Sequence, residues 1–173
     1  MVCFFVHKLK ILAIIYYMKT NKQKIISYVI VIASILVVAV LGSVFVNIGM
    51  EWFSSLKTPS EFVPSFIIPI VWTIIYLVFA IVLCNWVGKE NLHKSTLILL
   101  IINGVLNVLW CLLFFTFNQT LLGVIAIILL LIFAWLLVVD IYAKKPNYAL
   151  FTMIYPIWAS VATTLNLALW ISN

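Results

Sequence analysis

Tryptophan and asparagine residues within apolar segments are the part of this sequence whose types and spacing point to a binding chemistry. The 173-residue chain holds seven Trp, and Trp72, Trp110 and Trp158 lie inside long apolar runs. An amide in hydrocarbon needs a polar partner, so asparagines in such runs should face protein rather than lipid. Aromatic walls with a few amides suit a flat, largely apolar ligand that is held by stacking and a few hydrogen bonds.

Three apolar segments carry these residues three or four positions apart, the spacing that places side chains on one helix face. The first stripe is Trp72, Tyr76, Phe79, Leu83 and Trp86. The second is Asn103, Asn107, Trp110 and Phe114. The third is Tyr155, Trp158, Ala162, Leu165 or Asn166, and Trp170. Two interpretations are open: the stripes pack as a core with the amides linking helices, or they line a pocket.

The residues that soluble enzymes use for catalysis are scarce in this chain. There is no Gly-rich phosphate loop, no carboxylate pair and no Ser/His/Asp grouping. The three cysteines share no metal-ligand spacing, so we expect neither a metal site nor a required cofactor. We expect Asp140 to form a local ion pair with Lys144, four residues later on the same helix.

Composition identifies the solvent of most of the chain. It is 67% hydrophobic and 8% charged, whereas soluble domains are about 45–50% apolar and about 25% charged. A domain of about 150 residues leaves roughly 30% of its unfolded surface exposed, so it cannot hide this much apolar surface. The net charge of +6 is distributed between apolar runs, which argues against a nucleic-acid partner. The partner is the lipid bilayer.

Five segments reach the roughly 20 apolar residues that a transmembrane helix needs. They are Ile25–Val46, Phe66–Val87, Ser95–Phe117, Leu121–Tyr142 and Tyr148–Ile171. Because backbone groups in lipid must pair within each segment, the sequence predicts an all-α integral membrane bundle of five transmembrane helices.

The connector 47–65 is the long one, and we expect a loop there. Its prolines lead into the second helix, which fits either a rigid loop or a lid over the mouth of the bundle. The lid would carry Trp52, Phe53 and Phe62.

Lysine placement predicts the orientation. Nine of the ten lysines lie before the first span or in the second and fourth connectors, against Lys57 alone in the first connector. Lysines mark the cytoplasmic side, so we expect a cytoplasmic N-terminus, an outer C-terminus and an outer 47–65 connector. Residues 1–24 form an N-terminal extension and basic cytoplasmic segment. Residues 1–17 are interpreted as a dispensable extension before a start at Met18, or alternatively as an interfacial helix.

Three ordered motifs resemble those of a known family. The first is Trp52-Phe53-Ser54-Ser55-Leu56-Lys57-Thr58-Pro59, then Pro64, Pro69-Ile70-Val71-Trp72 and Tyr76. The second is Asn103-x-x-x-Asn107-x-x-Trp110-x-x-x-Phe114-Phe115. The third is Tyr155-Pro156-Ile157-Trp158-x-x-x-Ala162-x-x-Leu165-Asn166-x-x-x-Trp170-x-x-Asn173. With five spans, residues 25–173 resemble the translocator protein family, also called the peripheral benzodiazepine receptor or tryptophan-rich sensory protein (TspO/MBR) family.

The resemblance implies a pocket beneath the first loop that binds porphyrins such as protoporphyrin IX and haem. Positions that match the family's ligand site are Trp72, Asn107, Trp110, Trp158 and Ala162. Loop and stripe residues complete the predicted ligand-binding set: Trp52, Phe53, Tyr76 and Phe114. Trp72 and Trp158 also match two tryptophans implicated in light-dependent protoporphyrin breakdown in some bacterial members. The tetrapyrrole would be a ligand, with no cofactor required.

The implied function is tetrapyrrole binding in the bacterial cell membrane, as a sensor or regulator of tetrapyrrole metabolism or of a stress response. One alternative is a light- and oxygen-dependent enzyme that degrades protoporphyrin, with Trp72 and Trp158 as its catalytic residues. Another is a transporter of small hydrophobic molecules. The family also implies a homodimer. The cholesterol-recognition segment of animal members needs a basic residue near the C-terminus, and this sequence has none after Lys145.

Overall fold

The computed structural model describes residues 20–57 and 63–173, and every regular element in these ranges is helical. The helices are α1 (Asn21–Ser55), α2 (Ile67–Val87), α3 (Lys94–Cys111), α4 (Thr120–Lys144), α5 (Pro146–Thr152) and α6 (Ile154–Ser172). A π-helical segment, Leu112–Thr116, continues α3. Within these ranges, five spans are long and apolar enough to cross a membrane, with α5 and α6 together forming the fifth. The all-α, five-span prediction is confirmed. The predicted extension 1–17 lies outside the described residues.

The first helix is longer than the sequence suggested. It begins at a capping box, in which the Thr20 hydroxyl accepts from the Gln23 N–H and the Gln23 side chain accepts from the Thr20 N–H. It ends at Ser55, so the prediction of a loop from residue 47 is wrong for residues 47–55. No proline interrupts this stretch before Pro59, and its last turn is packed against the π-helical segment. Pro59 and the predicted lid residue Phe62 lie outside the described ranges.

The spans form a closed ring rather than following chain order around the bundle. The first helix packs between α2 and α3, α3 packs on α4, α4 packs on both helices of the fifth span, and that span returns to α2. The interior faces of α2, α3 and α6 therefore converge. The α1 and α6 helices lie apart in this ring, with α2 between them on one side.

Close approach of backbones attaches α1 to the rest of the bundle. The residues of α1 that are buried are Gly42 and Gly49. A Cβ atom added at Gly49 would overlap the main-chain carbonyl of Phe115, so only glycine allows the observed contact. The Thr116 hydroxyl also donates to the Phe45 carbonyl at 3.1 Å. The π-helical segment thereby holds the C-terminal half of α1.

The fifth span begins at Pro146, two residues earlier than predicted, and is interrupted at Met153. Pro156 explains the interruption, because it has no N–H to donate to the Thr152 carbonyl and its ring crowds that group. The buried Thr152 hydroxyl donates to the Tyr148 and Ala149 carbonyls of the preceding turn. After the interruption, Tyr155 contacts Trp72 and Phe79 of α2.

Candidate functional site

Trp72 is the centre of an aromatic cluster inside the ring of helices. Its ring centroid lies 5.9 Å from Trp110 on α3, 6.1 Å from Tyr76 on α2 and 6.2 Å from Tyr155 on α6. Tyr155 in turn meets Phe79 edge-on at 5.6 Å. Three of the five spans thus contribute rings to one cluster, which is what the stripes on α2, α3 and α6 predicted.

Two buried asparagines provide the polar partners of this cluster. The Tyr76 hydroxyl donates to Oδ1 of Asn107, and the Trp110 indole N–H donates to Oδ1 of Asn166, each at 3.1 Å. Asn166 is itself fixed by its Nδ2 group, which donates to the Ala162 carbonyl at 2.8 Å. The amides and the aromatic donors therefore form fixed pairs within the low-dielectric interior, where such bonds gain strength.

Asn103 lies away from the cluster although it is on the same stripe. It is buried like Asn107 and Asn166, so the prediction that all three face the protein interior is confirmed. Its Nδ2 group donates to the Leu99 and Phe133 carbonyls at 2.8 and 3.1 Å, which links α3 to α4. For Asn103, the interpretation as an interhelical link is the one that its contacts support.

Trp158 and Ala162 complete the α6 wall. Trp158 lies three residues after Tyr155 and four before Ala162, so the three share a helix face, and all are buried in the same hydrophobic core. Within the described ranges, the buried Nε1 of Trp158 has no hydrogen-bond partner. Because an unpaired buried donor costs about 1–3 kcal/mol, such a group in a native fold is a candidate for binding a ligand acceptor.

One end of the cluster is made by the last turn of α1 and the π-helical segment. Trp52 meets Phe114 edge-on at 5.5 Å, and Phe53 lies 5.4 Å from Phe115. Phe115 also contacts Trp110 at 5.9 Å, which joins this group to the central cluster. Trp52 and Phe53 therefore reach the site from a helix end rather than from a loop.

The predicted ligand-binding set omitted two of the residues whose rings contact Trp72 or Trp110. Phe115 is one, because adjacent residues on a regular α-helix point in different directions. The π-helical turn widens the helix and buries both Phe114 and Phe115. Tyr155 is the other: it belongs to the α6 stripe, but the ligand-binding set omitted it. Its position three residues before Trp158 was the available signal.

Trp86 is the last residue of the α2 stripe, and the structure buries it to 1% exposure. Its ring lies between His93 at 6.2 Å and Tyr148 at 5.9 Å, at the opposite end of α2 from the cluster. Trp135 and Trp170, by contrast, are exposed on the surface of the bundle. Trp86 belongs to packing between α2 and α5 rather than to the site.

Ion pairs gather at the end of the bundle where α1 begins. The predicted Asp140–Lys144 pair is confirmed. Asp140 also accepts from the buried Thr96 hydroxyl at 2.6 Å, which ties α4 to α3. In the connectors, Lys145 pairs with Glu90 at 2.6 Å and lowers the pKa of that carboxyl. Within the described ranges, no group of three or more His, Cys, Asp or Glu is arranged to hold a metal.

A search against protein families matches residues 30–171 to the TspO/MBR family. The chain belongs to the TspO/MBR family. Among its relatives is the "Tryptophan-rich protein TspO" of Chlorobaculum tepidum, which is 31% identical over 84% of this chain and 94% of the relative. The protein of the same name from Archaeoglobus fulgidus is 29% identical over 87% of this chain and 99% of the relative. "Protein CrtK" of Rhodobacter capsulatus is 26% identical over 70% of this chain and 78% of the relative.

TspO/MBR membership and the buried aromatic cluster agree with one another. The matched range contains all three converging stripes. It also contains the two hydrogen-bonded pairs, Tyr76–Asn107 and Trp110–Asn166. It also contains the outer group of Trp52, Phe53 and Phe114. The protein is thus an integral membrane member of the TspO/MBR family whose interior fits a tetrapyrrole-related role.

Proposed function

We propose that the protein binds a tetrapyrrole, protoporphyrin IX or haem, among the rings of Trp72, Trp110 and Trp158, and that it acts as a sensor or regulator of tetrapyrrole level. The observation that carries this proposal is the buried aromatic cluster with an unpaired donor, the Trp158 indole N–H, on its wall. An oxygen of the ligand would accept this hydrogen bond, while the rings stack on the macrocycle.

The cluster's chemistry suits such a ligand in two ways. Aromatic side chains offer faces and edges that pair with a flat π system at a gain of about 0.5–1.5 kcal/mol each beyond burial. The donors of Tyr76 and Trp110 are already paired with asparagines, so they need no partner from the ligand. A largely apolar macrocycle could then take the place of side-chain rings that contact Trp72. The Tyr76 and Trp110 donors would keep their asparagine partners.

The test is quenching of tryptophan emission by protoporphyrin IX in the purified protein. We expect saturable quenching in the unchanged chain and clearly weaker affinity in the double variant Trp72→Phe, Trp158→Phe. The matched control is Trp135→Phe, Trp170→Phe, which removes two exposed tryptophans from the outer surface. Equal affinity in the two double variants would exclude the cluster as the site.

A second candidate function, light-driven breakdown of protoporphyrin, is favoured by the contacts of Trp72. Its ring has Trp110, Tyr76 and Tyr155 as near neighbours, and indole and phenol groups are electron donors to a photoexcited porphyrin. The chemistry would belong to the ligand and to oxygen, while the protein supplies position. A product absorbance that requires protein, light and oxygen supports it. Bleaching at the rate found with an unrelated membrane protein excludes it.

We also propose a bacterial cell-membrane location with the lysine-rich end in the cytoplasm, and assembly as a homodimer. The orientation is supported by the structure's grouping of Lys144 and Lys145 with the connector that carries Glu90, since lysines accumulate on the cytoplasmic side. Cross-linking in native membranes tests the dimer, which would appear as a species of twice the monomer mass.

A further inference from the structure

Asn173, directly after α6, is hydrogen-bonded to the connector that leaves α1. Its Oδ1 accepts from the Lys57 N–H at 2.9 Å, and its Nδ2 group donates to the Lys57 carbonyl at 3.1 Å. The same Nδ2 group donates to the Leu169 carbonyl at 2.9 Å. One amide side chain thus satisfies both backbone groups of Lys57 while it stays anchored to its own helix, whose Leu169 is buried.

These bonds join two parts of the ring that do not otherwise pack extensively. The α1 and α6 helices are not neighbours, since α2 lies between them on one side and α3 and α4 lie on the other. The link therefore joins the C-terminal ends of α1 and α6 at one end of the bundle. We call the Asn173 side chain with the Lys57 backbone the outer clamp.

The outer clamp acts on residues of the site through a short length of chain. Lys57 follows the last turn of α1, where Leu56 N–H donates to the Phe53 carbonyl at 3.2 Å and the Ser55 hydroxyl donates to the Trp52 carbonyl at 2.6 Å. Fixing Lys57 therefore fixes the turn from which Trp52 and Phe53 reach Phe114 and Phe115. No contact between Asn173 and the cluster itself is needed.

We infer that Asn173 is a positioning residue that holds the end of α1 closed over the aromatic cluster, and that release of the outer clamp admits a flat, apolar ligand. The inference rests on the proposed function for the identity of that ligand. An amide suits this role because it offers an acceptor and a donor in one plane, as the Lys57 backbone requires. A carboxylate in its place would keep the acceptor and lose both donated bonds.

The experiment follows protoporphyrin IX binding by stopped-flow quenching in the full chain, with Asn173→Ala, Asn173→Asp and the control Ser172→Ala. Ser172 is the exposed neighbour on the same turn. We expect both the association and the dissociation rate to rise in Asn173→Ala, the latter about tenfold if the lost bonds contribute about 1.4 kcal/mol. We expect a smaller rise in Asn173→Asp and no change in Ser172→Ala.

Hydrogen exchange of the Lys57 amide separates gating from simple packing. We expect this amide to exchange faster in Asn173→Ala, which shows that the outer clamp is broken whatever the ligand does. Faster exchange with unchanged rates of protoporphyrin binding would overturn the inference. If the unchanged protein shows no saturable quenching, both the proposed function and the gating role of Asn173 are wrong. If the unchanged protein binds protoporphyrin IX and Asn173→Ala binds it at the same rates, only the gating role is wrong.

Discussion

The indole Nε1 of Trp110 donates a hydrogen bond to Oδ1 of Asn166 at 3.1 Å, across the interior between α3 and α6. Both residues are buried, at 5% and 4% exposure. Hydrogen bonds between membrane helices average about 0.6 kcal/mol and reach at most about 2 kcal/mol. This bond therefore contributes modestly to stability, and its main consequence is to fix the orientation of a ring that contacts Trp72.

The first prediction concerns this pair. Asn166→Leu and Trp110→Phe should each lower the free energy of unfolding, because each leaves a buried polar group of the other residue unpaired at a cost of about 1–3 kcal/mol. The double variant should lose less than the sum of the two. A double-mutant cycle in detergent, followed by circular dichroism, measures the coupling. Asn166→Leu combined with Trp135→Phe is the non-contacting control and should be additive. Additivity in the Trp110 cycle would contradict the prediction.

The second prediction compares the two buried glycines of α1. Gly49→Ala places a methyl group on the Phe115 main chain, so α1 and the π-helical segment must separate at a cost of about 1–3 kcal/mol. Gly42→Ala is the matched control, since its added Cβ would lie 3.5 Å from the Cys111 Sγ, an ordinary contact.

Thermal unfolding in detergent should show a lower midpoint for Gly49→Ala alone. A red shift of tryptophan emission should accompany it as Trp52 leaves Phe114. Equal midpoints for the two variants would show that the close approach at Gly49 is not required.

The sequence predicted the features that depend on the polarity of single side chains and on the three- to four-residue spacing along a helix. Asn107 and Asn166 were expected to face the interior because an amide has no partner in lipid, and both do so. The spacing of the stripes placed Trp72, Trp110 and Tyr155 each on the aromatic face of its helix. The structure shows that these faces meet. Such inferences need only local sequence and the nature of the solvent.

The sequence did not predict features that depend on contacts between distant segments. The continuation of α1 to Ser55 brings its last turn against Phe114 and Phe115, which lie more than 50 residues later in the chain. The π-helical turn has no local signal, since its five residues, Leu112–Thr116, suit an ordinary helix equally well. The outer clamp is likewise invisible locally, because it joins residues 116 positions apart.

The third prediction concerns the Glu90–Lys145 pair that joins two connectors. The hydrogen bond from Lys145 is the largest cause of the lowered pKa of Glu90, with further contributions from the charges of Lys145 and His93 and opposition from partial burial. Because the folded-state pKa is lowered from 4.5, the pair stabilises the fold above that value. The contribution is lost as the pH falls through the lowered pKa.

Glu90→Gln should therefore lower the unfolding midpoint at pH 7 by about 1–3 °C, a small effect because the pair is partly exposed. The difference from the unchanged protein should disappear as the pH falls through the lowered pKa of Glu90. Lys89→Gln, an exposed neighbour in the same connector, controls for loss of charge alone. A difference that persists at low pH would assign the effect to packing of the side chain rather than to the ion pair.

The fourth prediction is the orientation in the membrane. Ser55 lies at the end of α1 and Asn91 lies in the connector with Lys89, at opposite ends of the bundle, and both are exposed. In a chain whose cysteines are replaced by alanine, a membrane-impermeant maleimide added to intact cells should label Ser55→Cys. It should label Asn91→Cys only after lysis, because the lysine-rich end faces the cytoplasm. Labelling of Asn91→Cys in intact cells, with Ser55→Cys protected until lysis, would reverse the orientation and place the outer clamp on the cytoplasmic side.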